Sequence, residues 1–214
     1  MMKNILTFIL LVLVTATLSA QPKDCIELIG GQRTATANAV TKAHKKLTSL
    51  SATFTQEKTS PMLKESLVQK GKMFYKSPKK LRWEYTSPES MVLLFNNEKT
   101  TLKNAGKAVA NPPKMLSELG SLIISTLNGS LLTESKMFQV RYFKQKNNDK
   151  KIIVLLNPTS KKWQKLYAHI VVELAADTHL AEKVILTEKK GAVTTITFTD
   201  KKSNATLADK IFTE

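Results

Sequence analysis

Between Gly71 and Leu93 the chain alternates apolar and polar residues with a period of two, the signature of strands with one buried face. Met73 and Tyr75, then Leu81, Trp83 and Tyr85, then Met91 and Leu93 share one parity, while Lys72, Lys76, Lys80, Arg82 and Glu84 take the other. The breaks fall at Ser77-Pro78 and Ser87-Pro88, which predict turns between strands at 67–76, 80–86 and 91–95, with Asn96-Asn97 as a hairpin turn. A strand at 52–58 precedes them. The pattern predicts an antiparallel meander whose apolar face must be covered.

Two stretches shift to helical spacing. Val40, Ala43 and Leu47 predict a helix over 36–50 with one stripe against the sheet. Past Pro112-Pro113, Met115, Leu116, Leu119, Ile123 and Leu127 predict an apolar helix that Asn128-Gly129 stops. So apolar a helix must face the sheet or a ligand held between the two. Strands resume at 138–144, 151–156, 167–174, 181–187 and 193–199, with a helical turn at 160–166 and the apolar pair Ile211-Phe212 near the end. No internal repeat or linker interrupts the pattern, so a single domain follows.

The N-terminus reads differently. Lys3 precedes the apolar run Ile5 to Val14, too short to span a bilayer, and Ser19-Ala20 suit cleavage, which predicts a secretory signal peptide over residues 1–20. Losing 20 of 214 residues, Lys3 among them, leaves 194 residues and lowers the net charge from +16 to +15. Residues 21–214 are then one exported domain, large enough for an ordinary core. Cys25 is the sole cysteine, so no internal disulfide staples it. Pro22-Lys23-Asp24 before it is not the small apolar context of a lipidated cysteine, and Cys25 reads as a thiol in a mobile tail.

Such a basic excess raises nucleic acid first. Export removes that partner, and the lysines come as scattered pairs, from Lys45-Lys46 to Lys201-Lys202, placed as solvated strand ends more than as a tracked groove. A diffuse positive field still favours anionic membranes and acidic partners. His44, His169 and His179 occur in no metal-ligand or nucleophile spacing, and His44 reads as a surface residue of the first helix. The residues predict neither catalytic machinery nor a metal or other cofactor.

Ser51-Ala52-Thr53-Phe54-Thr55-Gln56, Gly71 with a strand ending at Lys76-Ser77-Pro78, Arg82-Trp83-Glu84-Tyr85 followed by Pro88, and a late Phe198 stand in a telling order. With the signal peptide and the apolar helix between two groups of strands, the mature chain resembles the periplasmic outer-membrane lipoprotein carrier (LolA) family. The resemblance implies a mainly β fold with helices: an incomplete, unclosed antiparallel barrel around an apolar cavity, covered by short helices. It also implies a monomeric periplasmic carrier, with acylated lipoproteins as cargo, an inner-membrane release complex as donor and an outer-membrane receptor or the membrane itself as acceptor.

On that resemblance the acyl cavity comprises Phe54, Met73, Tyr75, Leu81, Trp83, Tyr85, Met91 and Leu93 from the sheet, with Val40, Leu47, Leu119 and Ile123 beneath the lid. Apolar parity alone does not separate a cavity lining from a filled core. One departure stands out: many family members have an arginine before the turn proline that holds the lid shut, and here the position is Ser77, which predicts a weaker latch. A carrier of another lipid, such as a glycolipid or pigment, needs the same cavity. A lipid- or peptide-sensing regulatory module shares the fold, but such sensors usually add a second domain for which about 194 residues leave no room.

Overall fold

The computed structural model describes residues 22–97, 99–133 and 135–213. The predicted signal peptide lies outside them. Twelve strands form one antiparallel sheet among the described residues, in the spatial order β1-β8-β9-β10-β11-β12-β2-β3-β4-β5-β6-β7. The chain lays down two meanders. The first runs through β2 (Ser49–Thr59), β3 (Leu67–Lys76), β4 (Lys80–Ser87), β5 (Met91–Asn96), β6 (Lys99–Asn104) and β7 (Lys107–Ala108). The second runs through β8 (Phe138–Gln145), β9 (Asn148–Pro158), β10 (Tyr167–Ala175), β11 (Ala181–Glu188) and β12 (Val193–Ser203), and β1 (Cys25–Glu27) pairs with β8 at its outer edge.

What makes one sheet of two is the pairing of β12 with β2, which sets Phe198 opposite Phe54 and Ile196 opposite Gln56. These partners stand about 140 residues apart in sequence, as the Thr53–Thr199 contact shows with a separation of 146. The sheet does not close, because its two edges, β1 and β7, do not pair. Both edges are short, at 3 and 2 residues, which limits the backbone they offer to another chain.

Among the described residues four α-helices accompany the sheet: α1 (Gly30–Lys45), α2 (Lys114–Leu127), α3 (Ser130–Thr133) and α4 (Lys161–Leu166). The predicted span of α1, 36–50, needs correction at both ends. It begins six residues earlier and stops at Lys45, because Leu50 is claimed by β2, where it pairs with Tyr75. Its buried stripe is Val40 and His44, and Leu47 is buried beyond the helix end. The α2 prediction holds, with Pro113 before it and Gly129 after it in the left-handed region at φ +80°. A Cβ on Gly129 would also lie 2.8 Å from the Cβ of His44, so both conformation and space call for glycine there.

The inner face carries two apolar clusters. One gathers β8, β9 and β10 beneath α1, α3 and α4, around Val40, Tyr142 and Trp163; the other gathers β2 to β5 beneath α2, around Phe54, Met73 and Trp83. A third, on the outer face, packs Cys25 with Phe143, Ile153 and Leu155. Cys25 is therefore not in a mobile tail: strand pairing with Gln145 seats it, and burial, first among the causes, raises its thiol pKa. The remaining strands missed by periodicity, β6 and β7, are short and half exposed, so little apolar signal marks them.

Candidate functional site

Register carries the predicted apolar face across the first meander. Met73 pairs with Trp83 and Trp83 with Leu93; Tyr75 pairs with Leu81 and Leu81 with Phe95; Tyr85 sits between Gly71 and Met91. Because paired residues share a face, three rows of large side chains line up on the concave side. Aromatic rings stiffen this wall. Phe54 stacks on Trp83 at 4.3 Å between centroids, and Tyr85 and Phe198 meet the pair edge-on at 5.4 and 6.0 Å. Gly71 makes room for Phe54: a Cβ there would lie 2.4 Å from the ring and 2.1 Å from the Glu84 carbonyl oxygen.

Between this wall and α2 lies a cavity of about 470 Å³. Met73, Trp83, Tyr85, Met91, Leu93 and Phe95 line one side; Ile170, Val172, Val184, Leu186, Ile196 and Phe198 line the other; Leu116, Leu119, Ile123 and Leu127 of α2 form the roof. The volume falls within the roughly 300–1,000 Å³ range of small-molecule sites. Helix α2 comes down hardest at Gly120, where a Cβ would sit 1.9 Å from the Phe95 ring. Only a residue without a side chain lets the helix seat so low.

Of the twelve residues assigned to the cavity from sequence, Met73, Trp83, Tyr85, Met91, Leu93, Leu119 and Ile123 line it. Val40, Leu47, Phe54, Tyr75 and Leu81 do not; each is at most 4% exposed and packs in the core behind or beside it. Phe54 acts on the cavity through Trp83. Missing from the sequence assignment was the whole second wall, from β10, β11 and β12. The half-buried inward residues Val184 and Leu186 flank Ile185 in an unbroken apolar run, so alternation does not mark their face, and nothing local says that they face the first meander.

Polar groups gather at one end. Gln56, Lys58, Glu188, Thr194 and Tyr167 line the cavity there, and Lys58 donates to Glu188 Oε1 at 2.9 Å across the intervening β12. Both side chains are about one-third exposed, which marks this end as the mouth. Tyr85 donates from its hydroxyl to Gln56 Oε1 at 3.2 Å, and burial raises the Tyr85 pKa so that the phenol stays neutral. Trp83 Nε1 is buried without a well-formed hydrogen bond and presents no accessible surface to a ligand, so Trp83 offers the cavity its ring alone.

The position expected to latch the lid, Ser77, is exposed, and its backbone N–H donates to the Thr48 carbonyl at 2.9 Å. His44 instead reaches the lid. It is 4% exposed, a correction to its reading as a surface residue. Its Nδ1 lies 2.8 Å from the carbonyl oxygen of Leu127, the last residue of α2, and its Nε2 lies 3.0 Å from that of His179, in the β10–β11 turn. One side chain thus ties α1, α2 and the sheet. Burial, the largest influence, holds the His44 pKa below its ordinary value, with the two carbonyls pulling it back up. A neutral imidazole donates to one of them; an imidazolium would donate to both.

The family model described as outer membrane lipoprotein carrier protein LolA matches residues 45–214. The chain belongs to that family. The match begins at the end of α1 and takes in both meanders, so every wall of the LolA-family cavity lies within it. No match to a curated protein was found. Among solved structures, a LolA superfamily protein from Nitrosomonas europaea is similar at 10% identity and TM-score 0.46, over 85% of this chain and 97% of that one. A chain of the Pseudomonas aeruginosa MucA/MucB complex gives 14%, 0.46, 81% and 57%. Lipoprotein LppX from Mycobacterium tuberculosis gives 16%, 0.44, 81% and 96%. Family membership rests on the family match.

Proposed function

We propose that this LolA-family chain is a periplasmic carrier that takes acylated lipoproteins from the inner membrane and shelters their acyl chains on the way to the outer membrane. The observation that carries the reading is the cavity itself: its walls and roof are apolar but for Thr126, whose hydroxyl donates to the Leu122 carbonyl, and its charged groups, Lys58 and Glu188, stand at the mouth. Moving a long acyl chain from membrane to water costs about 0.8 kcal/mol per methylene. An apolar chamber removes that cost, and a chamber without deep polar anchors still releases its cargo. The apolar N-terminal run and a basic surface fit an exported protein working between membranes. Among the described residues no helix is long and apolar enough to cross a bilayer.

The test is release of radiolabelled lipoprotein from spheroplasts into buffer by the purified mature protein. Soluble lipoprotein should appear with the unmutated chain and not with Trp83→Glu, which sets a charge in the aromatic wall. Because Trp83 is buried and Trp83→Glu can unfold the chain, Ile123→Trp serves as the second variant: it enlarges a half-buried roof residue and fills the chamber. Release by neither protein would overturn lipoprotein carriage, and mass spectrometry of the copurifying lipid would then name the cargo.

A further inference from the structure

Among the described residues eight large apolar side chains are exposed, and four of them fall within seven positions: Met62 at 92%, Leu63 at 45%, and Leu67 and Val68 at 46% each. Exposed apolar residues scattered singly need no explanation; a cluster does. Met62 and Leu63 occupy the tip of the β2–β3 loop. The loop has a defined shape, since the Leu63 N–H donates to the Ser60 carbonyl at 3.0 Å and the Met62 N–H to the Ser60 hydroxyl at 3.3 Å. It rests beside the β11–β12 turn, where a Cβ on Gly191 would approach Pro61 to 3.3 Å.

This tip stands at the cavity mouth. Leu67 pairs with Lys58, so the two share the inner face, and Lys58 lines the cavity. Exposed lysines collar the apolar residues: Lys64 on the loop, Lys70 on β3, and Lys189 and Lys190 on the adjoining turn. The exposed acids facing the same region are Glu57 and Glu65, while Glu188 is held by Lys58. The result is a convex apolar point ringed by a net positive charge, not a groove that would grip a peptide.

We propose that this lip docks the cavity mouth onto an anionic bilayer, with Met62 and Leu63 entering the interface and Lys64, Lys189 and Lys190 meeting lipid phosphates. Apolar tips buried at the headgroup boundary and lysines drawn to anionic lipid act together in such binding. Docked this way, the chamber opens at the membrane surface, and an acyl chain crosses from one to the other without traversing water. The lip stands on exposure and charge, independent of what the cavity holds.

The test is flotation of the cargo-free mature chain with two kinds of vesicle: phosphatidylethanolamine with a minor share of phosphatidylglycerol, and phosphatidylcholine alone. The chain should float with the anionic vesicles and little with the neutral ones. The double variant Met62→Asp with Leu63→Asp should lose more than about tenfold in partitioning. Lys189→Gln with Lys190→Gln should lose about fivefold per lysine. Val109→Asp, at an exposed apolar position outside the lip, should float as the unmutated chain does. A Met62→Trp variant should shift its emission to the blue on adding anionic vesicles. Equal flotation of the Met62/Leu63 variant, or none by any form, overturns the proposal, and the latter outcome turns the lip toward a protein partner. No cargo enters the assay, so its failure leaves the cavity reading standing.

Discussion

Gly120→Ala tests how the lid is seated, because two effects of known size oppose each other there. Replacing glycine by alanine inside a helix stabilises by about 1 kcal/mol through propensity alone. Against it, the new Cβ would sit 1.9, 2.2 and 2.4 Å from three atoms of the Phe95 ring, where carbons rest about 3.5–4.0 Å apart. The ring or the helix must therefore move by roughly 1.5 Å or more, and Phe95 is 4% exposed with little room to retreat except into the cavity it lines. Overpacking of this kind costs about 1–3 kcal/mol. The clash outweighs the gain in propensity, so the variant should be less stable by up to about 2 kcal/mol, and a displaced Phe95 should weaken binding of an apolar fluorescent probe. Urea unfolding gives the first quantity and probe titration the second. Adding Phe95→Leu should restore stability, with a coupling above about 0.5 kcal/mol in the double-mutant cycle. A Gly120→Ala protein that is more stable than its parent, with no coupling to position 95, would refute the close seating of α2.

Three further outcomes follow from the same geometry. Trp83→Ala should cost about 3–5 kcal/mol in urea unfolding, since it removes a buried ring stacked on Phe54; a cost under about 1 kcal/mol would mean the aromatic wall does not pack. His44 has a folded pKa below the unfolded value, so the unfolded chain binds more protons between the two, and stability, full above about pH 6.5, falls as pH falls through that window. His169, also lowered by burial, adds to this slope, so His44→Gln should flatten the fall in urea midpoint between about pH 7 and pH 5 without abolishing it; an unchanged slope would sink the assignment. Ile123→Trp places its added volume in the chamber, so it should cost no more than about 3 kcal/mol of unfolding free energy while lowering apolar-probe affinity, and undiminished binding would place the ligand elsewhere.

The alternation from Gly71 to Leu93 determined by itself strands β3, β4 and β5 and the inward face of Met73, Trp83, Tyr85, Met91 and Leu93, because side-chain direction in a strand is local. The apolar helix α2 was equally legible between its proline and glycine stops. Tertiary structure decided the rest. Tyr75 and Leu81 share the parity of Trp83 yet pack as core, because distance along the row, not face, separates chamber from filling. His44 looked like a surface position on a polar helix, and only the arrival of Leu127 and His179 buries it. The second wall exists because β12 pairs with β2 across most of the chain, and a contact between residues so far apart leaves no trace in any local period.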